Sequence, residues 1–110
     1  MNIKQRFEQS TAILNVYGNP LSETDIISLK KIIMSIVNSG IDQVILDFSE
    51  VKHINSIGIG GLLHARKALE KVNGEVKLVR VNNNVRNILK RTALERIFRT
   101  YPTIEHALQS

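Results

Sequence analysis

The stretch Asp47 to Leu63, DFSEVKHINSIGIGGLL, gathers the residues of this chain best placed to do chemistry. Asn55 is a good N-cap residue type, and a cap there puts Ser56 at the first helical position. The unsatisfied amides and the dipole of a helix start favour added negative charge. A phosphate on Ser56 would therefore be tolerated by the fold while changing the surface strongly, which is the physics of a phosphoserine switch. Taken alone, Ser56 also reads as a plain capping hydroxyl. Gly58, Gly60 and Gly61 fall in the first turns of the same helix, where each costs up to about 1 kcal/mol relative to alanine. Their repetition predicts that a side chain there would obstruct either a neighbouring strand or a partner's backbone.

Other chemistries lack their parts. His53, His64 and His106 are scattered, and no pair has the spacing of a helical zinc motif, so neither a metal nor another cofactor is expected. Cysteine is absent, which removes disulfides, thiolate ligands and cysteine nucleophiles together. No Gly-x-Ser-x-Gly elbow or P-loop occurs, and GIGG lacks both the Lys-Ser/Thr ending and the full dinucleotide fingerprint. Asp47 at a strand end and Glu50 in the following turn read as structural or solvated, with Asp42 no part of a catalytic set. The expectation is a binding protein and no enzyme.

The elements that position Ser56 follow from periodicity. Ile3 to Gln9 and Thr11 to Tyr17 show partial alternation and read as two strands joined near Ser10. Gly18, Asn19 and Pro20 break the second. Ser22-Glu23-Thr24-Asp25 forms a capping box, and Ile26, Leu29, Ile33, Ile36 and Val37 recur at helical spacing until Ser39-Gly40. Val44, Ile45, Leu46 and Phe48 form the nearly continuous apolar run of a central strand buried on both faces. The helix carrying Ser56 continues through Leu69 and Val72 to a Gly74 stop, and Glu75 to Val81 alternates as a further strand. Asn82-Asn83-Asn84 supplies turn and cap candidates before a third helix with Val85, Ile88 and Leu89. Leu94, Ile97, Phe98 and Tyr101 form a last apolar cluster, and Ile104 to Leu108 reads as a short closing helix. The order β-β-α-β-α-β-α with a short tail predicts an α/β domain, a mixed sheet of four to five strands with helices packed against it.

At 110 residues, 43% hydrophobic and 23% charged, the chain fits one folded domain spanning 1–110. The amino terminus lacks the apolar run of a signal peptide, and no stretch approaches the ~18 apolar residues of a membrane span, so a cytoplasmic protein without membrane insertion is expected. The net charge of +5 is concentrated between Arg80 and Arg99, where Arg80, Arg86, Lys90, Arg91, Arg96 and Arg99 oppose only Glu95. A solvated basic face explains this cluster, as would an acidic protein face, an anionic membrane surface or nucleic acid. No DNA-binding motif and few aromatic rings accompany it, so direct DNA binding is not expected.

The run VILDFSEVKHINSIGIGGLL resembles the signature of the STAS domain in bacterial anti-sigma factor antagonists, roughly V-x-L-D-[LF]-S-x-V-x-x-[IM]-D-S-[ST]-G-[LI]-G-x-L. The likeness continues to the end of the chain, where RTALERIFRTYPTIEHAL is similar to the family's closing pattern. The resemblance implies partner switching in transcription regulation. The unphosphorylated antagonist binds an anti-sigma factor that is also a serine kinase of the ATPase type, phosphorylation of the acceptor serine ends the interaction, and a phosphatase restores it. Ser56 matches that acceptor, which makes the chain a phosphoprotein, and the implied partner-binding residues are Leu21, His53, Asn55, Ser56, Ile57, Gly58, Gly60 and Gly61. The alternative within the same fold is a constitutive STAS subunit that docks on a transporter ATPase or a signalling assembly. Two positions depart from the family pattern. Asn55 replaces the acidic residue before the acceptor, and Gly18-Asn19-Pro20-Leu21 lacks the aspartate of G-x-[LI]-D, so negative charge is lost beside the docking surface. Ile57 replaces the usual second hydroxyl.

Overall fold

The structure is a computed structural model in which residues 3–18 and 21–110 are described. The break at Asn19-Pro20 lies outside them. Strand β1 (Lys4–Glu8) turns through Gln9 and Ser10, both left-handed with φ of 53° and 65°, into β2 (Thr11–Gly18). Two consecutive residues at positive φ give the tight hairpin whose twist matches the flanking strands. Helix α1 (Glu23–Asn38) begins with the capping box: Ser22 Oγ accepts from the Asp25 amide at 3.2 Å, and Asp25 Oδ2 accepts from the Ser22 amide at 2.8 Å. There follow β3 (Gln43–Val51), α2 (Ser56–Glu70), β4 (Glu75–Val79), α3 (Asn83–Arg91), a 3-10 turn at Leu94–Arg96, β5 (Arg99–Tyr101) and α4 (Ile104–Leu108).

The strands lie side by side in chain order, β1-β2-β3-β4-β5; β1 runs antiparallel to β2 and the other pairs are parallel. Parallel neighbours need a crossover, and α1, α2 and α3 supply one each. All three cover the same face of the sheet. There Ala12, Leu14 and Val16 of β2, Val44, Leu46 and Phe48 of β3 and Val76 and Leu78 of β4 meet Ile33, Leu62, Leu69, Val85 and Leu89 from the helices. The opposite face carries a smaller cluster, Ile13, Ile45 and Val79 beneath Ile104 and Ala107 of α4. With apolar layers on both sides, β3 has no need of alternation, as its unbroken apolar run predicts.

Two differences from the expected elements have local causes. Arg80 adopts φ of 55°, which takes the chain out of the sheet and ends β4 at Val79 and not at Val81. The last apolar cluster contains a fifth strand, since Arg99, Thr100 and Tyr101 pair with Lys77, Leu78 and Val79. At three residues, opening on an arginine, β5 is too short to show a period of two. After α2, a Cβ on Gly74 would stand 2.2 Å from the Asp42 carbonyl oxygen, so the approach of the two backbones requires glycine there.

Candidate functional site

The short connection from β3 to α2 is held from below and from the side. Ile54 turns inward and is buried, whereas Lys52, His53, Asn55 and Ser56 remain exposed. The Asn82 side-chain amide donates to the Val51 and Lys52 carbonyl oxygens, at 3.2 Å each, while its Oδ1 accepts from the Val85 amide at 2.9 Å. One asparagine thus caps α3 and pins the start of the connection. At its end, Asn55 Oδ1 accepts from the amides of Ile57 and Gly58 at 3.1 and 3.2 Å. Asn55 is the N-cap of α2, so the capping duty does not fall on Ser56, whose exposed position is the first of the helix. No acidic residue stands in that first turn to compete with a phosphate for the helix dipole.

The residues assigned to partner contact from the sequence separate into two groups. His53, Asn55, Ser56, Ile57 and Gly60 lie on the surface, and Ile57 presents an apolar side chain beside Ser56. Leu21, Gly58 and Gly61 do not. Leu21 is only 2% exposed and belongs to the core. A Cβ on Gly58 would lie 2.6 Å from Ile54 Cγ1 and 3.6 Å from Leu21 Cδ1, and one on Gly61 2.5 Å from Ile26 Cδ1. These three positions are therefore corrected from docking to packing: the obstacles are side chains of the connection and of α1, neither a strand nor a partner. Gly60 differs, because a Cβ there would meet nothing within 4 Å.

Asp47 is structural and strongly held. Its carboxylate, 2% exposed, accepts from Asn15 Nδ2 at 2.9 Å, from the Ser49 amide at 3.0 Å, and from Arg80 through both Nε and Nη2. Burial opposes ionisation, but the Arg80, Ser49 and Asn15 hydrogen bonds outweigh it and hold the Asp47 pKa below its ordinary value. The basic sequence between Arg80 and Arg99 is dispersed by the fold. Arg80 serves Asp47, Arg99 lies near Glu75, and Lys90 and Arg91 close the last turn of α3, where cations favour the helix dipole. His64 on α2 has an Nδ1 enclosed without a hydrogen-bond partner among the described residues; burial, with Lys30 and Lys71 nearby, pushes its pKa down. Among the described residues no cluster of three metal-ligating side chains occurs, and no helix is long and apolar enough to cross a membrane.

Sequence reasoning overlooked Asn82 and Arg80 as supports. The Asn82-Asn83-Asn84 run marks Asn82 as a cap candidate, but nothing local to it signals a tie to a carbonyl 31 residues away.

A five-stranded mixed sheet with three helices on one face, and an exposed serine at the start of the second of them, defines the class of STAS-type binding domains. The profile of the STAS domain matches residues 2–107, and the chain belongs to that family. Over 73 residues it is 34% identical to the TM1081 homolog of Thermotoga neapolitana, provisionally named an anti-sigma factor antagonist; the match spans 66% of this chain and 65% of that protein. The crystal structure of TM1081 from Thermotoga maritima superposes with a TM-score of 0.86 at 27% identity, covering 97% of this chain and 92% of that one. The anti-sigma factor antagonist SpoIIAA in its unphosphorylated form shares the fold, with a TM-score of 0.77 at 18% identity over 98% of this chain and 96% of its own. The STAS domain described here thus shares its fold with these proteins.

Proposed function

We propose that this protein is a cytoplasmic anti-sigma factor antagonist whose docking face is the Ser56 helix start, and that phosphorylation of Ser56 switches it off. The observation that carries this reading is the division of labour at α2, where Asn55 caps the helix and Ser56 stands exposed beside Ile57 and the bare backbone of Gly60. The partner is an anti-sigma factor acting as a serine kinase of the ATPase type, with a phosphatase resetting the switch. In the docked state the partner covers Ile57 and approaches α2 closely at Gly60. A dianionic phosphate at that contact stays compatible with the isolated fold, because the helix start favours it, but opposes docking by desolvation and repulsion. This separation of fold stability from partner affinity is what a reversible switch needs.

The test compares wild type, Ser56→Asp and Ser56→Ala as baits in the cells of origin, followed by affinity measurement with the purified kinase. Wild type and Ser56→Ala retain the kinase, Ser56→Asp loses at least about tenfold in affinity, and only wild type takes up phosphate from ATP. Equal retention of a transporter ATPase or scaffold by all three would refute the switch and establish the constitutive subunit.

A further inference from the structure

We infer that α3 forms the second half of the docking face, and that the groove between it and the His53-Ile54 connection receives an acidic segment of the partner. The groove measures about 180 Å³ and is lined by His53, Ile54, Asn84, Asn87, Ile88 and Arg91. Ile54 and Ile88 give it apolar walls. Asn84 and Asn87, three residues apart and so on one side of α3, offer amide groups to a peptide backbone or a carboxylate.

The charge at this place has one sign. No carboxylate lines the groove, Lys52 and Lys90 are exposed neighbours in the chain, and Arg91 takes part in no ion pair among the described residues. The first turns of α2 and α3 hold no acidic residue either. No carboxylate of the groove lining balances this charge, and a partner face of negative charge is its complement. Asn55 in the place of an acidic residue acts in the same direction, since a carboxylate there would repel such a partner. The groove holds no Phe, Tyr or Trp, and His53 is its one aromatic side chain, so it lacks the series of rings on which successive bases stack and suits an acidic protein segment better than a single-stranded nucleic acid.

Asn82 makes the groove continuous with the Ser56 site. Its three hydrogen bonds tie the start of α3 to Val51 and Lys52, so both walls of the groove and the approach to Ser56 are fixed relative to one another. In naming the charge of the partner the inference rests on the reading of Ser56 as a docking face, but the groove itself can be tested without any kinase.

The test is an amide chemical-shift titration of the full chain with a blocked peptide of about six residues alternating glutamate and leucine. A lysine-leucine peptide of the same length and a single-stranded oligonucleotide serve as comparisons. The acidic peptide should move the amides of residues 52–54 and 84–91, and Arg91→Glu or His53→Glu should weaken it at least about tenfold. Arg99→Glu, on β5 near Glu75, should leave affinity within about twofold and control for net charge. Shifts elsewhere, equal binding of the lysine peptide, indifference to Arg91→Glu in a variant with an intact spectrum, or tighter binding of the oligonucleotide at these residues would each overturn the inference. Because Ser56 is untouched throughout, a groove that binds while Ser56→Asp proves silent condemns the switch alone, and the reverse outcome condemns the groove alone.

Discussion

Gly58 and Gly60, two residues apart in α2, have opposite surroundings, and their alanine variants should move stability in opposite directions. Gly60→Ala adds a methyl group to open space and removes backbone freedom from the unfolded chain, so it should stabilise the isolated protein by about 1 kcal/mol. Gly58→Ala drives a methyl into Ile54, and should destabilise by roughly 1–3 kcal/mol. Urea denaturation of both variants decides this. If a partner approaches α2 closely at Gly60, the more stable Gly60→Ala protein will also be the weaker binder, a combination that a purely structural glycine would not give.

Two titrating residues should divide the acid limb of stability between them. His64 has a lowered pKa in the fold, so below about pH 6.5 the unfolded chain takes up the proton first, and stability is lost as pH falls through the folded value. Asp47 also has a lowered pKa, so its contribution is complete above about pH 4 and is lost as pH falls through its folded value. Melting temperature should therefore decline in a shallow step below neutrality and a second step below about pH 4. His64→Gln should flatten the first, and Asp47→Asn the second. A single step surviving in both variants would assign the acid limb to other groups.

Among the elements, α4 is held on the sheet by Ile104 and Ala107 and also by a buried cation. Lys77 projects from β4 to the sheet face opposite the three crossover helices, where Nζ donates to the Ala107 and Ser110 carbonyl oxygens at 3.0 and 3.1 Å. The Tyr101 ring lies 5.7 Å from the same ammonium group. Both oxygens lie at the C-terminal end of α4, where a cation adds a charge-assisted hydrogen bond and favours the dipole. Lys77→Met keeps the stem but removes the donors, and should destabilise by roughly 1–3 kcal/mol, with amide exchange accelerated first in residues 104–110. Uniform acceleration across the sheet would instead make α4 inseparable from the main core.

The elements also show which signals are local enough to read. The Ser22 capping box and the Asn55 cap were legible because donor and acceptor lie within three residues of each other. The inward turn of Leu21, Gly58 and Gly61 was not, because just before a helix or in its first two turns a small or apolar residue suits the core and a contact surface equally well. What decides between them is the position of Ile54 and Ile26, fixed by tertiary packing. Asp47 was legible as structural, but its partners Asn15 and Arg80 stand 32 and 33 residues away and come together only when the strands pair. Strand β5 was missed because pairing with β4, and not its composition, makes Arg99–Tyr101 a strand.

For the whole molecule, the sequence carried the class of fold through its alternation of strands and helices, together with the family resemblance, while the layout of surface charge was hidden. Residues from Arg80 to Arg99 read as one basic patch along the chain, and the fold sends them to the Asp47 carboxylate, the end of α3 and the edge of the sheet. Only Arg91 of that series lines the groove beside His53. The strand order has a further consequence, for synthesis. Because each strand pairs with the one made before it, every segment leaving the ribosome finds its neighbour already present, and no strand waits for a distant partner with both edges bare. The chain can be assembled in the order in which it is translated, closing one hairpin and then one helical crossover at a time.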